Sequence, residues 1–219
     1  MGKSVKDNLS KFDICNLVVI DNGIYVPEDI ESSPDVFSNP LNLLFVGALN
    51  YSKGIKNLVE SLNQLQTENV NVHLHIMGEW SNKIQKEEIL YYIQQNNLTN
   101  VISFHGLVTT IEKWKIFKMC LILIHPTYWD GQPLVILEAM GCGLSIISTN
   151  VGAIPDTMIN GYNGIILPEN NSAQLSNAIK NCNNNREWIL ETSKNNLKTY
   201  NERFTIESYI LRIANWLEQ

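Results

Sequence analysis

Leu121-Ile-Leu-Ile124 followed by Asp130-Gly-Gln-Pro-Leu-Val-Ile-Leu-Glu138-Ala-Met-Gly-Cys-Gly143 is the stretch of this chain that decides its fold. A short apolar run leads through a polar loop into apolar residues at helical spacing, which reads as strand, loop and helix. The helix is expected to begin near Pro133, because the missing proline N–H would be unsatisfied in a first turn anyway. Such a start presents unpaired backbone N–H groups and a partial positive charge, a ready site for phosphate. Two carboxylates, Asp130 and Glu138, sit eight positions apart, one before the helix and one inside it. A carboxylate cannot hold a phosphate, so both are free to accept hydrogen bonds from hydroxyls. Amides for an anion beside acceptors for hydroxyls suit a sugar nucleotide.

The same alternation extends in both directions. Apolar runs at 41–46, 72–77, 101–104, 121–124, 144–148 and 164–167 read as strands. Helical spacing appears at 55–65, where Ile55, Leu58, Val59, Leu62 and Leu65 share a face, and again at 86–95 and 134–140. Thr109-Thr-Ile-Glu112 has the form of a capping box for a helix reaching Cys120. Three helices close the chain at 172–181, 187–200 and 206–217, the last N-capped by Thr205, with the Asn-rich patch 181–185 as a loop between the first two. Repeated strand–helix–strand units imply an α/β fold: a Rossmann-like parallel sheet of about six strands with helices on both faces and ligands at the C-terminal strand ends. Residues 1–40 break the rhythm, with one apolar strand at 17–20, an Asp21-Asn22-Gly23 turn and a polar run at 27–40. They are expected to form a linker and an edge element ahead of a nucleotide-sugar-binding domain at 41–219.

Composition narrows the function. With 219 residues, 44% hydrophobic and 17% charged, the chain has the length and apolar content for a substantial core. A formal net charge of −6 argues against a nucleic-acid partner, which calls for a basic face. The first ten residues are polar, so no secretory signal is read, and no apolar run approaches the ~20 residues of a membrane span. Cys15, Cys120, Cys142 and Cys182 show no paired spacing, consistent with a reducing cytoplasm and with neither zinc nor disulfides.

Other motifs gather at the expected strand ends. Gly47-Ala-Leu-Asn-Tyr-Ser-Lys53-Gly54 follows the first strand but matches neither the dinucleotide nor the Walker glycine pattern. Lys53 beside a glycine at a helix start suits a point-charge phosphate partner, with a solvated surface lysine as the competing role. Gly78 ends the second strand, where it permits close approach of a ligand or simply makes a turn. His105-Gly106 is placed to line a base pocket, and His125 to cap the strand beside the carboxylate loop; packing with a satisfied hydrogen bond is the alternative for each. His73 and His75 alternate on one strand face without a third ligand nearby in sequence, and no Asp-x-Asp occurs, so no metal site is expected.

These residues, in this order, resemble the C-terminal, donor-binding half of retaining family-4 (group 1) glycosyltransferases of the GT-B fold. The likeness runs from about Leu17 to the C-terminus, through Phe45-Val-Gly47, Lys53-Gly54, Ile76-Met-Gly78, Phe104-His-Gly106, the Asp130-x7-Glu138 pattern and Ser148-Thr-Asn-Val-Gly152-Ala-Ile-Pro155. The resemblance implies that Glu138 binds the ribose hydroxyls. Asp130, with the amides of Gly131, Gln132, Pro133, Leu134 and Val135, would face the donor sugar and distal phosphate; within that run Pro133 has no N–H to give. Lys53 would neutralise the departing diphosphate beside Gly47 and Gly78, and His105 and Gly106 would touch the base. The implied chemistry is metal-independent transfer from a nucleotide-diphosphate sugar, with UDP ahead of GDP and ADP, and retained anomeric configuration. Asp130, Lys53 and Glu138 would carry it, without a cofactor.

Two residues depart from the family pattern: Asp130 stands where glutamate is usual, and Ala48 where an arginine usually follows the first-strand glycine. The chain also begins where the family's interdomain linker begins. The resemblance therefore implies that the N-terminal domain, which carries the acceptor site, has been removed or is a separate polypeptide. The implied acceptor is a glycan or lipid-linked glycan, and the implied location the cytoplasm, with peripheral association of the full enzyme at the inner membrane face. A noncatalytic nucleotide-sugar-binding subunit that needs a partner chain is the alternative.

Overall fold

A computed structural model of the chain describes residues 18–27 and 34–218. Its centre is a six-stranded sheet, every neighbouring pair parallel, built from β1 (Leu41–Val46), β2 (Val72–Met77), β3 (Ile102–Gly106), β4 (Ile122–His125), β5 (Ser145–Thr149) and β6 (Gly164–Leu167). The strand order is β3-β2-β1-β4-β5-β6, so the chain winds outward from β1 to one edge, returns to the middle, and winds out to the other. That reversal between β1 and β4 is where a parallel α/β sheet opens a crevice for ligand. β4 and β5 are buried at every position, as expected of central parallel strands covered on both faces.

The alternation of side chains on β1 separates two cores. Leu41, Leu43 and Phe45 face a cluster fed by α1 (Ile55–Thr67) and α2 (Lys83–Gln95), and Leu44 faces one fed by α3 (Thr110–Met119) and α4 (Leu134–Gly141). A four-residue α5 (Ile154–Thr157) follows β5, with Pro155 in its first turn; it is too short to show helical spacing in the sequence. α6 (Ser172–Asn184), α7 (Arg186–Thr199), a π turn (Tyr200–Phe204) and α8 (Ile206–Leu217) complete the chain.

Several local expectations change. The Asn-rich patch is mostly helix: only Asn185 separates α6 from α7, and its side chain caps α7 by accepting from Trp188 N. Thr109 occupies the N-cap of α3, but its side chain makes no capping bond, and Thr110 behind it has φ +66°. The capping box therefore does not form, and Glu112 pairs instead with Lys115 at 3.3 Å. Thr205 does cap α8, accepting from Ser208 N. Leu17 lies outside the described residues, as do Met1–Ser10 and Cys15, and Val18–Ile20 join no strand. The segment is anchored where Val26 and Ile24 pack on the second core and by polar bonds beside them. Ile24 bridges to Thr205, and Tyr200 Oη both donates to Ile24 O (3.1 Å) and accepts from Val26 N (3.2 Å).

Candidate functional site

The loop 126–133 leaves β4 at the crevice and is clamped from both sides. On the β1 side, Tyr128 N donates to Ser52 O at 2.9 Å, and Asn170 Nδ2 donates to Pro126 O. Gly54 lies so close that a Cβ would stand 1.9 Å from Pro126 O. On the β5 side, Thr149 Oγ1 donates to Thr127 O (2.5 Å) and Ala153 N to Gly131 O (2.9 Å). Gly152 touches the loop just as closely, with no room for a Cβ beside Asp130 O.

This clamping brings three side chains together. Lys53 Nζ donates to Asp130 Oδ2 at 2.7 Å and to Trp129 O at 3.4 Å, and His125 Nε2 lies 3.2 Å from the same Asp130 oxygen. Burial by itself raises the Asp130 carboxyl, but hydrogen bonds from His125 and Lys53, and their charges, outweigh it and lower the value to about 2. Lys53 and Asp130 are 77 positions apart in the chain and meet because β1 and β4 are neighbours at the sheet's reversal.

Pro133 is the N-cap residue (φ −71°, ψ 118°) and not a first-turn residue, so α4 begins at Leu134. Its first N–H groups, on Leu134 and Val135, precede any carbonyl within the helix that could accept them. One turn further on, Glu138 Oε1 accepts from Lys113 Nζ on α3 at 2.6 Å, with both side chains mostly buried. Gly131 N donates to Asp130 Oδ1 at 2.9 Å, turning that amide inward on its own neighbour. The Gln132 side chain is a tether: Oε1 accepts from Asn22 N (3.0 Å), and Nε2 donates to Asp21 Oδ1 (3.3 Å) and Thr157 Oγ1 (3.4 Å). Asp21 is also held by Arg203 at 3.0 Å.

Beyond β1 and β2 lies a recess of about 490 Å³, walled by Gly47, Ala48, Gly78, Trp80, Leu107 and Val108. Gly78 is required there by the protein itself: its N–H donates to Gly106 O at 2.8 Å, and an added Cβ would stand 1.9 Å from Gly47 O. His105 is not part of this wall. Its ring stacks on His75 at 5.3 Å, with His105 Nε2 and His75 Nδ1 3.1 Å apart, while Leu107 lines the recess. Lys113 and Asn170 are contributions that no local pattern announces, because each acts through a partner distant in sequence.

His73 completes a row of three rings, 4.8 Å from His75 and bonded through Nε2 to Ser103 Oγ at 2.8 Å. Burial is the first cause holding all three below the usual histidine value. His73 and His105 reinforce it at His75, which is pushed to about 4, whereas Glu112 opposes it at His105. Rings whose folded values lie below the unfolded one are neutral in the fold. Their contribution is complete above about pH 6.5 and is lost as pH falls toward 4. Urea unfolding is therefore expected to show a stability loss of about 2 kcal/mol between pH 7 and pH 4.5, much of it abolished in His75→Gln. An unchanged pH slope in that variant would assign the loss to other groups. Among the described residues, no group of three or more His, Cys, Asp or Glu side chains is placed to hold a metal ion, and no helix is long and apolar enough to cross a membrane.

Comparison with known proteins matches this arrangement. Residues 28–203 match the family described as "Glycosyl transferases group 1". An uncharacterized glycosyltransferase of Methanocaldococcus jannaschii is 27% identical over 176 residues, which are 80% of this chain and 47% of that protein. The chain thus spans about half the length of this relative. Among solved structures, sucrose-phosphate synthase from Thermosynechococcus elongatus superposes with a TM-score of 0.82 at 21% identity, over 100% of this chain and 57% of that one. Anabaena HepE in complex with UDP superposes with a TM-score of 0.74 at 22% identity, over 82% and 49% of the two chains. Both structural likenesses are to the fold, a GT-B arrangement of parallel sheet and flanking helices.

Proposed function

From the premise that this chain belongs to the group 1 glycosyltransferases, we propose that it is the donor-binding half of a retaining, metal-independent enzyme using a nucleotide-diphosphate sugar. The observation that carries the proposal is the Lys53–Asp130 pair at the β1/β4 crevice, one turn from the open N–H groups of Leu134 and Val135. Lys53 exchanges Asp130 for the incoming diphosphate, the amides of α4 hold the distal phosphate, and Asp130 turns its freed oxygen to a sugar hydroxyl. As the glycosidic bond breaks, charge grows on the diphosphate, and a preorganised cation and amides stabilise that charge more than the ground state. Retention of configuration and independence of metal follow from the family resemblance.

The recess at Gly47, Gly78 and Leu107 takes the base, and Glu138 the ribose. UDP is placed ahead of GDP and ADP because HepE, a structural neighbour, is described with UDP. The acceptor, a glycan or lipid-linked glycan, is met through an N-terminal domain or a partner chain. Ala48 favours a second reading, a noncatalytic nucleotide-sugar-binding subunit: it leaves the recess without the cation that a neighbouring arginine would supply.

Thermal unfolding with UDP, GDP and ADP, each in EDTA, tests the proposal. One nucleotide at ~100 times its dissociation constant is expected to add roughly 2.7 kcal/mol to the wild type and far less to Glu138→Ala. No shift with any of the three, or an equal shift in the variant, counts against the reading.

A further inference from the structure

Lys113 is a half-buried cation that the proposed mechanism does not use. It reaches from α3 to Glu138 Oε1 at 2.6 Å, with 23% of its side chain exposed against 15% for Glu138. Its ammonium group also lies 4.8 Å from the Trp114 ring centroid and 5.7 Å from that of Phe117, so two aromatic faces fix its position. An ammonium has three donors and this one gives a single hydrogen bond to Glu138; Glu138 Oε2 accepts nothing among the described residues. Two ammonium donors and one carboxylate oxygen therefore remain open on the same pair.

We infer that Lys113 and Glu138 together read the two adjacent ribose hydroxyls of the nucleotide, making Lys113 a specificity-determining residue. This rests on Glu138 being the ribose acceptor. A carboxylate alone can only accept, and would receive a hydrogen bond from each hydroxyl. With Oε1 already held by Lys113, one hydroxyl donates to Oε2 and the neighbouring hydroxyl oxygen accepts from Lys113 Nζ. A ribose lacking either hydroxyl leaves one member of a half-buried charged pair without its partner, which is the costly case in polar recognition.

Calorimetric titration of UDP, 2′-deoxy-UDP and 3′-deoxy-UDP into wild type, Lys113→Met, Lys113→Arg and Glu138→Gln tests this. If GDP or ADP gives the larger thermal shift, its matching set is used. The wild type is expected to prefer the intact ribose by about tenfold or more. Lys113→Met is expected to weaken UDP about tenfold and reduce that preference to about twofold, with Lys113→Arg recovering part of both. The unliganded melting temperature separates a general loss of fold from this loss of selectivity. A preference that survives intact in Lys113→Met overturns the inference about Lys113 while Glu138→Gln still loses it. A preference that survives in Glu138→Gln as well, or no binding by the wild type, overturns the ribose assignment on which the inference depends.

Discussion

Gly152→Ala is expected to lower stability by about 3 kcal/mol or more and to abolish nucleotide binding in the same step. Gly152 has φ +56°, a conformation that costs an alanine about 1 kcal/mol from its Cβ alone. The larger part is collision: the new Cβ would sit 1.8 Å from Asp130 O and 3.0 Å from Gly131 O, and neither backbone atom is the end of a flexible side chain. Relief requires the two loops to part, which breaks the bond from Ala153 N to Gly131 O and displaces Asp130 from Lys53 and His125. Gly161→Ala supplies the control, because Gly161 has φ +83° with nothing within 4 Å of its added Cβ. Its cost is the conformational part alone, about 1 kcal/mol. Urea midpoints for the two variants, with their m-values, decide the matter. If Gly152→Ala loses no more than Gly161→Ala, the close contact is not what holds the loop.

Asp130→Asn is expected to divide the ligand into its parts. Removing the carboxylate charge releases Lys53 and takes a negative group away from the place of the diphosphate, so UDP should bind as well as before or up to about tenfold tighter. The donor nucleotide sugar should lose its advantage over the free nucleotide, and transfer by the complete enzyme should fall roughly 100-fold to 1,000-fold. Titration of both ligands into both proteins measures the first effect, and single-turnover transfer the second. Equal weakening of the nucleotide and the nucleotide sugar would mean that Asp130 only scaffolds the loop. Stability offers an independent check of charge. The wild-type carboxyl has a folded value of about 2, below its ordinary 3.8, so its contribution is complete above pH 3.8 and disappears as pH falls through 2. The variant should therefore be less stable than wild type by about 1–2 kcal/mol at pH 7 and nearly equal to it at pH 2.

The sheet was legible because its signal is strong and local. Parallel central strands are buried on both faces, so 121–124 and 144–148 stand out as apolar runs between turn residues. The runs 41–46, 72–77 and 164–167 remain mostly apolar although Asn42, His73 and His75 interrupt the first two; the structure has strands at each. The apolar run 17–20 has the same appearance, yet Val18–Ile20 join no strand and Val18 is exposed, because apolar composition alone does not specify a hydrogen-bonding partner. At the site, Lys53 and Asp130 announced themselves through flanking glycines and the helix start. The Lys113–Glu138 pair does not: Lys113 lies 25 positions earlier, inside a helix where Lys115 two residues on is a surface charge. The place of His105 at a strand end suggests a base contact, but its ring direction depends on the pairing of β2 with β3, which sets it on His75.

The Gln132 tether has a consequence for heredity. Asp21 and Gln132 stand 111 positions apart, yet each supplies what the other's side chain requires, and Asn22 and Arg203 join the same knot. A single exchange at Asp21, Gln132 or Arg203 leaves the others with a lost bond, whereas Asn22 takes part through its backbone N–H, so viable changes at those three must arrive as matched sets. Descendants of this chain should therefore carry correlated histories at three positions scattered along the sequence, one of them in the very loop that also bears Asp130.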